Sequence, residues 1–353
     1  MRALSDFDVA SLESLLRDWN APPSHATKIL REFYRAGDLN PAALSLGKSL
    51  SKRLAAEIRL RQSQVVSHHE SSDGTAKLLI AFEAGGAVEA VLMPAYRADR
   101  AAGCVSSQIG CAMGCDFCAS TKTGLERDLT PGEIVEQFLH LKALSLSKGR
   151  RLSSLVFMGM GEPMHNLDAV ATAIRRITDP RIAALGPRAI TVSTVGIVSG
   201  IERLTAMNLG VHLAISLHAP DDETRVRIVP AAKRWRISDI LSAAKDFARQ
   251  SRRYVTIEYT LLAGVNDSDE QAHALAALLT GFRAHVNLIP YNPVGPGISG
   301  AIYAKPSSGR MERFAEILST AGVATHFRRT RGDDVNAACG QLRRTHSLLP
   351  LAQ

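Results

Sequence analysis

Apolar residues recur at helical spacing in the first 64 residues of the chain. Leu12, Leu16 and Trp19 fall on one side of a helix, and Ile29 and Phe33 do the same in a second segment. Prolines and glycines separate these segments, because both residue types interrupt helices. The sequence therefore predicts a small N-terminal helical module over residues 1–64.

A β-hairpin is predicted next, within an extension over residues 65–96. Segments 77–83 and 87–93 carry strand-forming residues and flank a pair of glycines that favours a tight turn. Glu89 falls on a strand face that also carries apolar residues. Desolvation there would make its carboxylate more basic and suit it to act as a general base. A glutamate exposed on an edge strand is the alternative, and the local sequence alone favours that alternative.

Strand-like and helix-like segments then alternate through residues 97–353. Such alternation predicts a parallel sheet with right-handed crossovers. About six strand–helix units are present, which is too few for a closed eight-fold barrel. We therefore expect an α/β fold with a partial, open (β/α)6 barrel, and an open doubly wound sheet is the alternative. The predicted strands are a segment near Cys104 and segments 152–158, 189–193, 211–216, 254–261, 286–289 and 324–327, and the predicted helices are 167–177, 197–207, 237–250, 270–279 and 310–321.

The composition is that of an ordinary globular protein, with 46% hydrophobic and 22% charged residues. No apolar run reaches the roughly 18 residues that a membrane-spanning helix needs, and the first residues do not resemble a secretory signal. We therefore expect a cytoplasmic protein without a membrane partner. The formal net charge of +8 favours a polyanionic partner, with a solvated basic surface as an equal alternative.

Three of the five cysteines form the motif Cys111-x3-Cys115-x2-Cys118. Thiolates at this spacing can hold three irons of a four-iron cluster and leave the fourth iron open to a substrate. A structural zinc site completed by Cys104 or by a histidine is the alternative. The odd number of cysteines argues against an extracellular disulfide framework.

Polar residues follow several of the predicted parallel strands. Glu162 lies in the glycine-rich turn at 159–163, Ser193 ends the next strand, SLHAP at 216–220 ends another, and Asn292 follows a later one. Because the carboxyl ends of parallel strands meet at one edge of a sheet, these groups would line one pocket for a polar small molecule. Each motif taken singly is more often a cap or a turn.

Cys339 lies between small residues near the end of the chain, in the segment ACGQL at 338–342. These neighbours leave the thiol sterically open. Cys104 is the other cysteine outside the triplet, so a reversible disulfide between the two is conceivable. A free cysteine that acts as a small buried hydrophobic residue is the alternative.

These motifs together resemble the RlmN and Cfr family of radical S-adenosylmethionine (SAM) methyltransferases, which act on adenosine in ribosomal RNA. The resemblance extends from Ser71 to Leu342 and is closest to RlmN. It rests on the three-cysteine motif with Phe117 before its last cysteine, on segment 104–111, on GMGEP at 159–163, on SLHAP at 216–220, on GVND at 264–267 and on ACGQL at 338–342.

The resemblance implies a [4Fe-4S] cluster held by Cys111, Cys115 and Cys118, with an open iron that chelates the amino and carboxylate groups of SAM. It also implies that two SAM molecules are used per turnover. The residues that match the SAM-contacting positions of the family are Gly161, Glu162, Ser193, Ser216, Leu217, His218 and Asn292.

The same resemblance implies roles for Cys339, Glu89 and Cys104. Cys339 would take a methyl group from one SAM and become S-methylcysteine. A 5′-deoxyadenosyl radical from the second SAM would take hydrogen from that methyl group, and the resulting methylene radical would add to the adenine. Glu89 would then accept the ring proton, and Cys104 would release the product by forming a transient disulfide with Cys339.

On this resemblance we expect methylation of adenine C2 in 23S rRNA at the peptidyl-transferase centre, and also next to the tRNA anticodon, as in some family members. An external electron donor such as a flavodoxin-type reductant would serve the reaction, and we expect a monomer. C8 methylation of the same adenosine, as in Cfr, is the close alternative. A non-catalytic iron–sulfur or zinc redox sensor that binds nucleic acid is the alternative from another class.

Overall fold

The computed structural model describes residues 1–41, 44–182, 185–328 and 331–342. Residues 343–353, at the end of the predicted third segment, lie outside the described residues. No helix in the described ranges has the length and apolar character needed to cross a lipid bilayer.

The N-terminal module contains helices, as predicted, and a pair of short strands that the pattern did not indicate. The two strands pair in parallel, so they bring the start of the chain next to the end of the module. Asp8 caps the first helix, because its side chain accepts a hydrogen bond from Ser11 N at 2.7 Å. The elements are β1 (Arg2–Ala3), α1 (Val9–Asp18), α2 (His25–Ala36), α3 (Lys48–Glu57) and β2 (Ile58–Arg59).

Buried polar groups of the core join the N-terminal module to the rest of the molecule. The fully buried carboxylate of Glu136 accepts hydrogen bonds from Ser5 Oγ at 2.6 Å and from Gln62 N at 3.0 Å. Arg176 Nη1 donates to the Ser5 carbonyl at 2.8 Å. Apolar residues of the module also belong to the same hydrophobic cluster as those of the core. The module is therefore packed on the core and hydrogen-bonded to it.

The extension is a three-stranded antiparallel meander of β3 (Ser63–Glu70), β4 (Ala76–Phe82) and β5 (Ala87–Pro94). The predicted hairpin corresponds to β4 and β5. Strand β3 was not predicted, because it lies at the edge of the sheet, is largely exposed and carries few apolar residues. Strand β5 pairs on both sides, so the expectation of an exposed edge-strand position for Glu89 is wrong.

The core alternates parallel strands with helices, and a small antiparallel pair carries the cysteine loop. In chain order the elements are β6 (Arg100–Cys104), β7 (Gln108–Gly110), β8 (Leu125–Asp128), α4 (Pro131–Ser147), β9 (Arg151–Phe157), α5 (Leu167–Thr178), β10 (Ile190–Thr194), α6 (Val198–Met207), β11 (His212–Ser216), α7 (Asp222–Ile228), α8 (Ile237–Ser251), β12 (Val255–Leu261), α9 (Asp269–Leu279), β13 (Ala284–Pro290), α10 (Ser308–Thr320) and β14 (Ala324–Phe327).

The strand order distinguishes the partial barrel from the doubly wound sheet. Among the described residues, β6, β9, β10, β11, β12, β13 and β14 lie side by side in chain order, and each neighbouring pair is parallel. A doubly wound sheet reverses its strand order at a switch point, and this sheet does not. The expected partial (β/α)6 barrel with a last strand is confirmed, and the carboxyl ends of its strands lie at one edge.

Candidate active site

The three clustered cysteines lie on the loop between β7 and β8. Cys118 N donates to the Cys115 carbonyl at 3.0 Å. Thr121 Oγ1 donates to the carbonyls of Cys115 and Cys118 at 3.2 and 3.0 Å. These local bonds fold the loop so that Cys111, Cys115 and Cys118 all line one cavity at the carboxyl ends of the barrel strands.

The thiols of this loop fit an iron–sulfur cluster. Burial raises the pKa of Cys111 to about 12 and raises the pKa of both Cys115 and Cys118 as well. A metal that binds thiolates must offset this preference for the protonated form. No three Cys, His, Asp or Glu side chains in the described ranges are placed to hold a single ion together. A cluster does not need such convergence, because each thiolate binds a different iron.

The turn after β9 brings the backbone and a carboxylate to the cavity. Gly161 has φ +98°, and a Cβ there would lie 2.5 Å from Gln108 Cβ, so glycine is required. The Glu162 carboxylate accepts hydrogen bonds from Val195 N at 2.9 Å and Met164 N at 3.0 Å. Burial raises the pKa of Glu162 to about 7 against these bonds. An ammonium group of a ligand would favour its ionised form.

Residues at the ends of β10 and β11 line the same cavity. This was predicted from the strand-end rule, namely that the carboxyl ends of parallel strands meet at one edge of a sheet. Ser193 Oγ and Ser216 Oγ lie 3.4 Å apart on neighbouring strands. His218 Nδ1 accepts a hydrogen bond from Thr260 N at 3.0 Å, so its proton lies on Nε2. Burial lowers the pKa of His218 to about 3 and keeps its ring neutral.

The backbone of His218 is in the left-handed region, with φ +61°. Asn266 Nδ2 donates to the His218 carbonyl at 2.7 Å, and the His218 ring meets the edge of Phe117 at a centroid distance of 4.9 Å. Leu217 differs from its neighbours, since its side chain is fully buried and does not line the cavity. Its carbonyl accepts a hydrogen bond from Arg225 Nε at 3.0 Å.

Cys339 reaches the cavity on a C-terminal segment of irregular structure, residues 331–342. Asn292 Nδ2 donates to the Cys339 carbonyl at 3.1 Å. Ala119 N donates to the Gly340 carbonyl at 2.7 Å, and Ser120 Oγ donates to the Leu342 carbonyl at 2.7 Å. The segment is therefore bonded to the residues that directly follow the cluster cysteines, and Cys339 lines the same cavity as they do.

Cys104 ends strand β6, is buried and is not among the residues that line the cavity. Burial, and then the charge of Cys339, raise the pKa of Cys104 to about 12, while the charge of Arg328 opposes them. All five cysteines are free thiols in the structure. Cys104 and Cys339 are thus electrostatic neighbours without a bond between them.

Glu89 lies on β5, outside the cavity lining, and is 2% exposed. Its carboxylate pairs with Lys77 Nζ at 2.8 Å, a partner that the sequence did not predict. Lys77 Nζ also donates to the Asn336 carbonyl at 3.2 Å, three residues before Cys339. Lys77 therefore links the predicted base to the segment that carries Cys339.

Several cavity residues were missed by the sequence analysis. Glu258 and Thr260 alternate on β12, and polar residues with a period of two in a buried strand are a signal that could have revealed them. Arg328 directly follows β14, where the strand-end rule applies again. Met158 follows β9 in the same way.

Comparisons with known proteins agree with this geometry. A model of the radical SAM superfamily matches residues 105–276. The chain is 51% identical to a probable dual-specificity RNA methyltransferase RlmN 1 of Opitutus terrae, with 97% of this chain and 96% of the relative covered. It is 41% identical to the dual-specificity RNA methyltransferase RlmN 1 of Myxococcus xanthus, with 97% and 94% covered.

A solved structure supports the same assignment. The crystal structure of a radical SAM methyltransferase from Sphaerobacter thermophilus matches with a TM-score of 0.91 and 40% identity, and the match covers 97% of this chain and 99% of that one. Identity and fold agree over nearly the full length. The chain belongs to the RlmN family of radical SAM RNA methyltransferases.

Proposed function

We propose that this protein methylates C2 of an adenosine in 23S rRNA, at the peptidyl-transferase centre, and an adenosine next to the tRNA anticodon. The observation that carries the proposal is the cavity lined by the three cluster cysteines and Cys339 together. A thiol beside a SAM-binding cluster can receive a methyl group and pass it on. The relatives named above are dual-specificity RNA methyltransferases, which supports an RNA substrate.

Cys111, Cys115 and Cys118 would hold the [4Fe-4S] cluster that the superfamily implies. When bound, the cluster supplies the electron for reductive cleavage of SAM. The Glu162 carboxylate would accept a hydrogen bond from the ammonium group of SAM, and the Ser193 and Ser216 hydroxyls, which line the same cavity, would offer further hydrogen bonds. The proposed SAM contacts that line the cavity are Gly161, Glu162, Ser193, Ser216, His218 and Asn292. Leu217, whose side chain is buried outside that lining, would contribute main-chain atoms only.

Two SAM molecules would be used per turnover. The Cys339 thiolate would attack the methyl carbon of the first SAM, so a C–S bond forms as the sulfonium C–S bond breaks and S-adenosylhomocysteine leaves. Adenine C2 is not nucleophilic, so it cannot take a methyl group in that way. The carbon held on Cys339 would instead add to C2 after hydrogen abstraction driven by the second SAM.

Product release would need Glu89 and Cys104. Glu89 would accept the proton from the ring carbon. The Cys104 thiolate would attack Cys339 Sγ, so that an S–S bond forms while the bond from Cys339 to the product carbon breaks, and that carbon would keep the bonding pair and take up a proton to become the new methyl group. An external reductant would return both thiols, and a flavodoxin-type donor would supply the electron to the cluster.

We also propose a cellular location, an oligomeric state and a division into parts for the chain. The protein is a cytoplasmic monomer with three parts: a helical module at 1–64, an extension at 65–96 that carries Glu89, and a radical SAM core at 97–353. The basic net charge of +8 suits an RNA partner.

The test is anaerobic reconstitution with iron and sulfide, followed by dithionite, SAM and ribosomal RNA. Digestion of the RNA to nucleosides and mass spectrometry against 2-methyladenosine and 8-methyladenosine standards should show the 2-methyl product. The 8-methyl product would instead make the protein a Cfr-like enzyme. A protein that neither cleaves SAM to 5′-deoxyadenosine nor modifies RNA would contradict the proposal and favour a redox sensor.

A further inference from the structure

Glu258 presents an unused hydrogen-bond acceptor to the cavity. It lies on β12 with 3% exposure, and its Oε1 accepts a hydrogen bond from Asn287 Nδ2 at 3.1 Å. Its Oε2 is buried and has no hydrogen-bond partner among the described residues. Buried carboxylate oxygens are rarely left in this state, so a donor from a bound ligand is the expected partner.

Arg328 lies beside that free oxygen. Its Nη1 is 3.9 Å from Glu258 Oε2, close enough for an ion pair but too far for a hydrogen bond. The same nitrogen approaches Met158 Sδ at 3.3 Å. Among the described residues, the guanidinium makes no other side-chain hydrogen bond and lies next to the unused acceptor, and both residues line the cavity that holds Cys339.

Arg328 also lies within electrostatic range of the two thiols of the proposed reaction. The charge of Cys339, and then those of Glu258 and Cys104, raise the pKa of Arg328 above its ordinary range. A base that receives carbon from Cys339 must lie against that sulfur, and Cys104 must reach the same sulfur to release the product. The substrate base is therefore a ligand of this cavity that can meet the donor–acceptor pair.

Adenine has the complementary pattern on two of its edges. Its N6 amino group is a donor, and it is flanked by the ring nitrogens N1 and N7, which are acceptors. Guanine and hypoxanthine carry an acceptor oxygen at position 6, which a carboxylate would repel. One acceptor beside one donor thus selects adenine among the purines.

We propose that Glu258 and Arg328 recognise the substrate adenine, with Glu258 accepting from the N6 amino group and Arg328 donating to the adjacent ring nitrogen. The inference rests on the proposed function and adds how the base is chosen. The inference applies whether Arg328 donates to N1 or to N7. N1 adjoins C2, and N7 adjoins C8. The pair is thus a specificity determinant and leaves the choice of reacting carbon to other groups.

The experiment compares substrate RNA carrying adenosine at the target position with the same RNA carrying purine riboside, which lacks the N6 amino group. Wild-type reconstituted enzyme should prefer adenosine by about 10- to 100-fold in kcat/KM. In Glu258→Gln the carbonyl should take the Asn287 bond and turn the amide NH2 towards the base. The preference should then fall to about one, and RNA carrying inosine should gain relative to the wild type.

Two further variants distinguish a loss of base recognition from a general loss of folding or activity. Glu202→Gln, on the exposed face of α6, is the matched control and should keep the wild-type preference. Arg328→Lys should lower kcat/KM for adenosine and purine riboside alike, because both substrates keep the ring nitrogens. Formation of S-methylcysteine at Cys339 without RNA, measured by mass spectrometry, should persist in Glu258→Gln.

Three results would overturn the inference alone. The first is a wild-type enzyme that methylates both RNAs equally, which would leave the proposed function intact. The second is an unchanged preference in Glu258→Gln. The third is loss of S-methylcysteine formation without RNA in Glu258→Gln, because Glu258 would then serve SAM binding or folding. Absence of methylation on every RNA would overturn the proposed function together with this inference.

Discussion

The cluster loop, residues 111–121, and the C-terminal segment, residues 331–342, line the same cavity but are held in different ways. The cluster loop is bonded to itself, with Cys118 N and Thr121 Oγ1 both donating to the Cys115 carbonyl. Asp116 adds a firm external anchor, since it accepts hydrogen bonds from Ser299 N at 2.8 Å and Tyr303 OH at 2.7 Å. The three thiols of the cluster loop therefore keep their relative positions.

The C-terminal segment also has internal bonds, such as that from Ala337 N to the Gly332 carbonyl at 2.8 Å, but it is joined to the rest of the molecule by partners far away in the sequence. Lys77 donates to the Asn336 carbonyl, and Asp73 accepts a hydrogen bond from Gly332 N at 3.2 Å. Asn292 and the cluster loop hold the residues around Cys339. The difference suits the proposed roles: three ligands of one cluster need a fixed geometry, whereas a carrier thiol must meet SAM, the base and Cys104 in turn.

The largest effect is expected from removing the thiol of Cys104 or of Cys339. Cys104→Ala should accumulate enzyme cross-linked to RNA, because addition proceeds while release is blocked. Cys339→Ala should neither carry a methyl group nor cross-link. Denaturing gels and mass spectrometry of the protein detect both outcomes. Normal turnover by Cys104→Ala would show that another group releases the product.

The next effect is expected at the link between Glu89 and the C-terminal segment. Lys77→Met removes the ammonium partner of a carboxylate that is 2% exposed, so the free energy of unfolding should fall by about 3 kcal/mol. Urea denaturation measures the change. The double variant Lys77→Met/Glu89→Gln should recover part of the loss.

Lys148→Met serves as the control for that prediction, because its ion pair with Glu70 is at the surface. It should change the free energy of unfolding by less than about 1 kcal/mol. Equal losses in Lys77→Met and Lys148→Met would mean that the buried pair contributes no more than an exposed one.

A smaller effect is expected in the cluster loop. Asp116→Ala removes the acceptor of the Ser299 and Tyr303 hydrogen bonds and should lower the free energy of unfolding of the cluster-free protein by about 2 kcal/mol. Iron should also be lost faster to a chelator after reconstitution. Asp18→Ala, at an exposed position, is the control. Unchanged iron loss would show that the loop keeps its geometry without this anchor.

The smallest effect concerns the anchor of the C-terminal segment at Asp73. Burial opposes its ionisation, but hydrogen bonds from Thr75 and Gly332 outweigh burial and lower the pKa of Asp73. A lowered pKa in the folded state gives stabilisation that is present above about pH 4 and is lost as the pH falls through the folded value. Hydrogen exchange at 331–342, corrected for intrinsic rates, should rise a few-fold in that window.

Asp73→Asn should produce the same loosening at neutral pH, because its NH2 group cannot accept a hydrogen bond from Gly332 N. Exchange in the cluster loop should remain at the wild-type level in this variant. Stronger protection of 331–342 on acidification would contradict the sign of the argument.

The core of the fold was predictable from the sequence because local patterns determine it. Parallel strands buried on both faces are short apolar runs, and the helices between them are amphipathic. The buried strand β12 was predicted at 254–261 and is observed at Val255–Leu261. Strand β3 was missed because an exposed edge strand needs few apolar residues.

The candidate site was predictable only in part. The cysteine motif and the strand-end motifs are local in sequence, and the rule that parallel strands end at one edge brings them together. The Glu258–Arg328 and Lys77–Glu89 pairs are not local, because they depend on strand register and on where the C-terminal segment lies. A single sequence carries no signal for such pairs.

His218 sets stability against activity at one position. Its left-handed backbone is unfavourable for a residue with a side chain, by about 1 kcal/mol, and the hydrogen bonds from Asn266 and Thr260 to it hold that conformation. Glycine would relieve the backbone but remove the ring that faces Phe117 and the cavity. Selection for a more stable fold and selection for ligand binding therefore act in opposite directions on this residue.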